Sequence, residues 1–92
     1  MSIFAWNSEK NEQLKAERGI SFEEIVFHID AGDVLLIEDH PNQVRYPGQR
    51  VFSVQIEDYV YLVPHVVTEP EIFLKTIIPS RKATKRLKGN KP

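Results

Sequence analysis

Residues 51–67 constrain the fold more than any other stretch of the chain. Phe52, Val54 and Ile56 alternate with Ser53 and Gln55, and after Glu57-Asp58 the alternation resumes with Tyr59, Tyr61, Val63 and His65 on one face. A period of two sustained over that length is the signature of paired β-strands with one face toward a core. A two-residue link makes the strands antiparallel neighbours, although neither Glu57 nor Asp58 is the glycine or asparagine that tight hairpins favour. Pro64 falls inside the second strand, where its missing N–H predicts an edge position or a bulge.

The other elements follow from local signals. Residues 3–6 are a short apolar run that predicts an edge strand, and Asn7-Ser8 offers a cap for a helix over Ser8–Arg18 that stops at Gly19. That helix has a thin apolar face, Leu14 and Ala16, which predicts weak packing at the surface. Ser21-Phe22-Glu23-Glu24 is a capping box, after which Phe22, Ile25, Val26 and Ile29 fall at i, i+3, i+4 and i+7, the buried face of an amphipathic helix. His28 lies opposite that stripe and is expected at the surface. Residues 34–37, Val-Leu-Leu-Ile, are too short for a helix and predict a strand covered on both faces. Residues 39–49 hold two prolines, an asparagine and a glycine, a loop longer than the usual connection of about 4–6 residues. Residues 72–78 give a last strand, and Ser80 caps a helix from Arg81 to about Lys88, ended by Gly89. The order β-α-α-β-β-β-β-α predicts an α+β domain spanning residues 1–92. Its sheet is expected to be an antiparallel meander with helices on one side, in two layers, and residues 79–92 form a basic helix and tail.

Charge separates that tail from the rest. Seven of the twelve lysines and arginines lie from Lys75 onward, where there is no Asp or Glu, so this stretch carries +7 and the preceding body −8. The net charge of −1 conceals a polarised molecule with an anionic partner expected at one end. The absence of cysteine excludes disulfides and thiolate zinc sites, and the three histidines show no metal-ligand spacing. No metal or cofactor is expected. The first ten residues do not read as a signal peptide and no apolar run approaches the ~20 residues of a membrane span, so a cytoplasmic protein without a membrane partner is expected. Glycine-rich phosphate loops, nucleophile elbows and dinucleotide fingerprints are missing.

Several blocks resemble the BrnT-type toxins of bacterial toxin–antitoxin pairs, small ribonucleases with a RelE-like fold. Phe4-x-Trp6-Asn7-x-x-Lys10-Asn11 is similar to that family's aromatic opening. Gly19-Ile20-Ser21-Phe22-Glu23-Glu24 resembles its Gly-Val-Ser-Phe-Glu-Glu start of a helix, and residues 77–86, Ile-Ile-Pro-Ser-Arg-Lys-Ala-Thr-Lys-Arg, its Ile-Ile-Ser-Ala-Arg-Lys-Ala-Thr-Arg-Arg ending. His40, Arg50 and His65 fall near the family's loop histidine, the arginine after it and a strand-closing histidine. Glu17-Arg18 and Pro70-Glu71 depart from the family's Lys-His and turn arginine. The resemblance implies an RNA substrate, cleavage without metal, and a ribbon-helix-helix antitoxin joined in a hetero-oligomer.

Metal-free cleavage of RNA needs an activated 2′-hydroxyl, cations on the developing phosphorane and a proton for the leaving oxygen. Arginine suits the phosphorane because its planar fork holds two oxygens and stays charged. Imidazole suits the proton transfer near neutral pH. Arg81 and Arg50, with Lys82, are therefore expected to stabilise the phosphorane, and His65 or His40 to move the proton. Lys75, Lys85, Arg86 and Arg45 are expected to grip flanking phosphates, with Tyr46 or Tyr61 stacking on an unpaired base. The plainer alternatives are a satisfied sheet histidine at position 65, a turn histidine at 40, and pairing of Arg45 or Arg50 with Glu38 or Asp39. A basic module that binds nucleic acid or an antitoxin without cleaving is the competing function.

Overall fold

The structure is a computed structural model that describes residues 3–88. The elements run β1 (Ile3–Trp6), α1 (Ser8–Arg18), α2 (Phe22–Asp30), β2 (Val34–Asp39), β3 (Arg50–Ile56), β4 (Tyr59–Val67), β5 (Glu71–Leu74), β6 (Ile78–Pro79) and α3 (Arg81–Lys88). The class is α+β, with three helices and a mixed sheet of six strands among the described residues. Gly89 as a helix stop and the cation Lys91 lie outside the described residues. A Cα radius of gyration of 13.0 Å is that of one compact body at this length.

The hairpin that the alternation predicts is present, and it lies inside the sheet with β3 buried on both faces. β3 and β4 pair from Arg50↔His65 to Ile56↔Tyr59, and Glu57 takes the left-handed conformation at φ 56° that the absent glycine would have adopted more cheaply. The sheet order is β1-β5-β4-β3-β2, with β6 also pairing to β4. It is not a pure antiparallel meander, because β1 runs parallel to β5 from Ile3↔Glu71 to Trp6↔Leu74.

Two strand positions differ from the simplest expectation. Residues 34–37 are not covered on both faces: β2 is an edge, Leu35 and Ile37 are exposed, and Val34 packs against the core. A continuous apolar run does not distinguish a central strand from an edge strand whose outer residues stay in water. Pro64, expected at an edge or a bulge, is not at an edge: it is buried in the central strand β4, opposite an irregularity in the neighbouring pairing. Its carbonyl accepts from the Lys75 N–H at 2.8 Å, and the N and C=O of one strand residue face the same neighbour. The missing donor of Pro64 therefore points at the segment between β5 and β6. The expected single strand over residues 72–78 breaks there, pairing as His65↔Leu74 on one side and Leu62↔Ile78 on the other, a shift of one residue.

Both faces of the sheet are covered, so the layers number three rather than two. On one face Leu14 of α1 and Phe22 and Ile25 of α2 pack on Phe52, Val54, Val63 and Leu74, with Ile20 and Ile77 closing the cluster. Trp6 stacks on Phe22 with ring centroids 5.7 Å apart. α3 crosses the opposite face, where its Ala83 is buried near Val51, Leu62 and Pro64. The start of α3 is tied to β4 by two bonds: Val60 N–H donates to Thr84 Oγ1 at 2.9 Å and Ser80 N–H to the Val60 carbonyl at 3.0 Å.

α1 is held by more than its thin apolar face. Asn11 is 3 % exposed, and its Oδ1 accepts from Phe22 N–H at 2.8 Å while its Nδ2 donates to Glu23 Oε1 at 2.8 Å. One amide side chain thus joins the body of α1 to the first turn of α2. The Asn11 bond is the main reason the Glu23 carboxyl titrates below its ordinary range. Asn7 caps α1, Gly19 ends it at φ 65°, and both bonds of the Ser21–Glu24 capping box are present. Arg18 also donates to the Ile77 carbonyl, fastening α1 to the gap between β5 and β6.

Candidate functional site in the cleft beneath α3

A cleft of about 380 Å³ opens between α3, the end of β2 and the loop that follows it. Its floor is Val51, Leu62 and Pro64, and its polar groups are Glu38, His40, Ser80, Lys82 and Arg86. Strand geometry sets two of these groups. His40 N–H donates to the Gln49 carbonyl at 2.9 Å, continuing the β2–β3 register one step beyond Asp39↔Arg50. Glu38 and His40 are thus two residues apart on one extended strand and share its cleft face, while Asp39 points to the other. Helix geometry sets two more. Lys82 and Arg86 are i and i+4 on α3 and flank the buried Ala83, so both overlook the floor. Arg86 Nη2 lies 3.6 Å from Glu38 Oε2, a partly exposed pair spanning the cleft mouth.

The loop over residues 40–49 is not loose. Gln43 Nε2 donates to the His40 and Gln49 carbonyls, Tyr46 N–H donates to the Asn42 carbonyl at 2.9 Å, and the His40 and Tyr46 rings lie 4.5 Å apart. Arg45 sits over the Tyr46 ring at 5.5 Å. His40 Nδ1 accepts from Asn42 N–H at 3.0 Å, which leaves the ring proton on Nε2 when the imidazole is neutral.

The expected site residues do not all meet. His40, Lys82 and Arg86 share the cleft, with Tyr46 and Arg45 stacked behind His40. Arg81 and Lys85 are exposed on α3 outside the cleft lining, and Lys75 lies over the Phe73 ring at 5.4 Å. Arg50 and His65 are paired residues on the other face of the sheet, the one that α1 and α2 cover. Arg50 Nε pairs with Asp39 Oδ1 at 3.4 Å. His65 is 1 % exposed, stacks on Phe52 with centroids 3.8 Å apart, and its Nδ1–H donates to the Val63 carbonyl at 3.0 Å. Burial, and to a lesser degree the Arg50 charge, pushes its pKa below the ordinary value. His65 is a neutral core residue, and the sheet separates it from the cleft. Tyr61 lies on that same face, its ring edge-on to Tyr59.

Two polar residues were not legible as they stand. Glu38 lines the cleft, though its strand position suggested only an ion-pair partner for the loop arginines. His28 is half-buried rather than exposed, its Nδ1 2.8 Å from Asp33 Oδ2. Among the described residues no three His, Asp or Glu side chains gather as a metal-binding set, and no helix is long and apolar enough to cross a membrane. No protein-family model, no curated protein and no solved structure matches this chain.

Proposed function

We propose that the protein is a metal-independent endoribonuclease of the toxin–antitoxin kind, and that the cleft beneath α3 is where a single-stranded RNA phosphate is held and cut. The observation that carries this reading is the convergence of Lys82, Arg86 and His40 on one concave site with an apolar floor. Cations above a water-poor floor stabilise a dianionic phosphorane more strongly than the same cations in open solvent. Arg86 and Lys82 hold the non-bridging oxygens, and His40 is the proton-transfer group of the cleft. Arg81, Lys85 and the +7 stretch hold neighbouring phosphates. The resemblance of residues 19–24 and 77–86 to BrnT-type toxins supports the same chemistry, a RelE-like relationship of the fold, and a cytoplasmic site of action beside a ribbon-helix-helix antitoxin.

The test is incubation of purified protein with single-stranded RNA in EDTA. Cleavage that leaves 5′-hydroxyl ends, and that a Lys82→Ala, Arg86→Ala variant loses, is the expected outcome. Arg50→Ala is expected to cut as the native protein does, because its guanidinium is on the other face.

A second reading, a binding module that never cleaves, draws on the separation of Arg50 and His65 from the cleft. It predicts tight RNA binding with a steep salt dependence and RNA recovered intact.

A further inference from the structure

The cleft is one end of a longer strip on the same side of the sheet. Residues paired across neighbouring strands share a face, and Val51 and Pro64, which floor the cleft, are such a pair. Lys75 N–H donates to the Pro64 carbonyl at 2.8 Å, which carries the β4–β5 register one step past His65↔Leu74 and sets Lys75 beside Pro64. Two residues along β4, Val66 pairs with Phe73, and Phe73 pairs in turn with Ala5 of β1. This row faces away from the core under α1 and α2, which takes Ile72 and Leu74 from the same strand. α3 is tied to β4 at Val60, and Ala5, Val66 and Phe73 stay half-buried beyond it. The exposed Lys75 holds its ammonium 5.4 Å from the Phe73 ring centroid, so that face of the ring is reached from solvent. Phe73 is the diagonal neighbour of Pro64, at about 7–8 Å.

We propose that Phe73 is a stacking platform for one nucleobase of a single-stranded RNA, with Lys75 on the phosphate joining that nucleotide to the one in the cleft. This rests on the reading of the cleft as the site of an RNA phosphate. Every base has a π-face, so a single ring beside a charged cleft takes a base without selecting its identity. A cation over an exposed ring is weakly held, so the base takes its place and the flexible lysine stem carries the charge to the backbone. Charge gives the strip a direction. Lys75 and Lys82 lie toward the cleft, while Glu71, two residues beyond Phe73 on the same face, lies at the far end. A polyanion is drawn to the cleft side and turned away past one base, which limits the platform to a single nucleotide.

The experiment measures binding of native protein and Phe73→Leu to two chains: a short 2′-O-methyl oligoadenylate, which has no 2′-hydroxyl to react, and the same sugar–phosphate chain without bases. Phe73→Leu keeps an apolar side chain at the position, and a thermal midpoint near that of native protein shows that the sheet is intact. It should weaken oligoadenylate binding by about tenfold with an unchanged salt slope, since no charge is removed, and bind the chain without bases as native protein does. Phe73→Trp should match or exceed native affinity for oligoadenylate. Lys75→Ala should instead lower the salt slope by about 0.7 on both chains. Oligoadenylate binding by Phe73→Leu within about twofold of native, or an equal loss on both chains, overturns the platform and leaves the cleft reading standing. The chain without bases reads the phosphate site alone, so native protein that fails to bind it overturns the cleft reading and the platform together.

Discussion

The two faces of the sheet are built on opposite terms. Under α1 and α2 every inward position is apolar or satisfied: Leu14, Phe22, Ile25, Val54 and Val63 are buried, and Asn11 and His65 each find hydrogen-bond partners. Under α3 the helix is short and its buried lining is Ala83 with the half-buried Leu87, while lysines and arginines take most of its other positions. Ser53 Oγ on that side is buried without a hydrogen-bond partner. The first face supplies stability and the second spends little on it, which leaves room for a cleft lined with charge.

Substitutions can break that contrast or sharpen it. The largest effect belongs to Phe22→Ala: removal of a fully buried ring that also stacks on Trp6 should cost about 3–5 kcal/mol, read from chemical denaturation. In a domain of this size that approaches the whole stability. Asn11→Ala should cost about 2 kcal/mol, because Phe22 N–H is then buried without an acceptor. A loss under 0.5 kcal/mol would mean that α1 is held by Leu14 alone.

His65 adds a pH dependence. Its folded pKa is depressed from about 6.5, so below pH 6.5 the unfolded chain binds the proton more readily and acid favours unfolding. The thermal midpoint should therefore fall as pH drops below about 6.5, and His65→Gln should flatten that slope. An unchanged slope would show that His65 titrates as it does in the unfolded chain.

The smallest effect on stability is expected at the cleft. Lys82→Ala with Arg86→Ala should move stability by no more than about 0.5 kcal/mol per site, as exposed charges do. The same pair should reduce the logarithmic salt slope of single-stranded RNA binding by about 1.4. A large loss of stability there would erase the distinction between the faces.

The helices and the central hairpin were legible because each rests on nearby residues: the Ser21–Glu24 box, Gly19 after Arg18, and the alternation through β3 and β4. What local pattern could not reveal was which strand lies beside which. β1 joins β5 in parallel and β2 takes the outer edge, although Val34–Leu35–Leu36–Ile37 reads as an interior strand. The candidate site was legible by composition and not by facing. Lys82, Arg86 and His40 were identified from charge and loop position. Assigning His65 and Arg50 to them required knowing which way each strand residue turned relative to α3, and that follows from where α3 crosses the sheet. Asn11 was overlooked because an asparagine in a helix gives no sign that it will bridge to a second helix.

The parallel pairing of β1 with β5 has a consequence for how the molecule comes into being. Ile3 and Glu71 are neighbours across the sheet yet 68 positions apart along the chain. During translation at roughly 5–20 residues per second, β1 must wait several seconds for its partner to be made. Contacts of such long loop closure form late and slow the search. The arginines and lysines of α3 are made later still. A nascent chain of this protein thus holds an unpaired outer strand until residues 71–74 are made, and its cationic helix follows only after that.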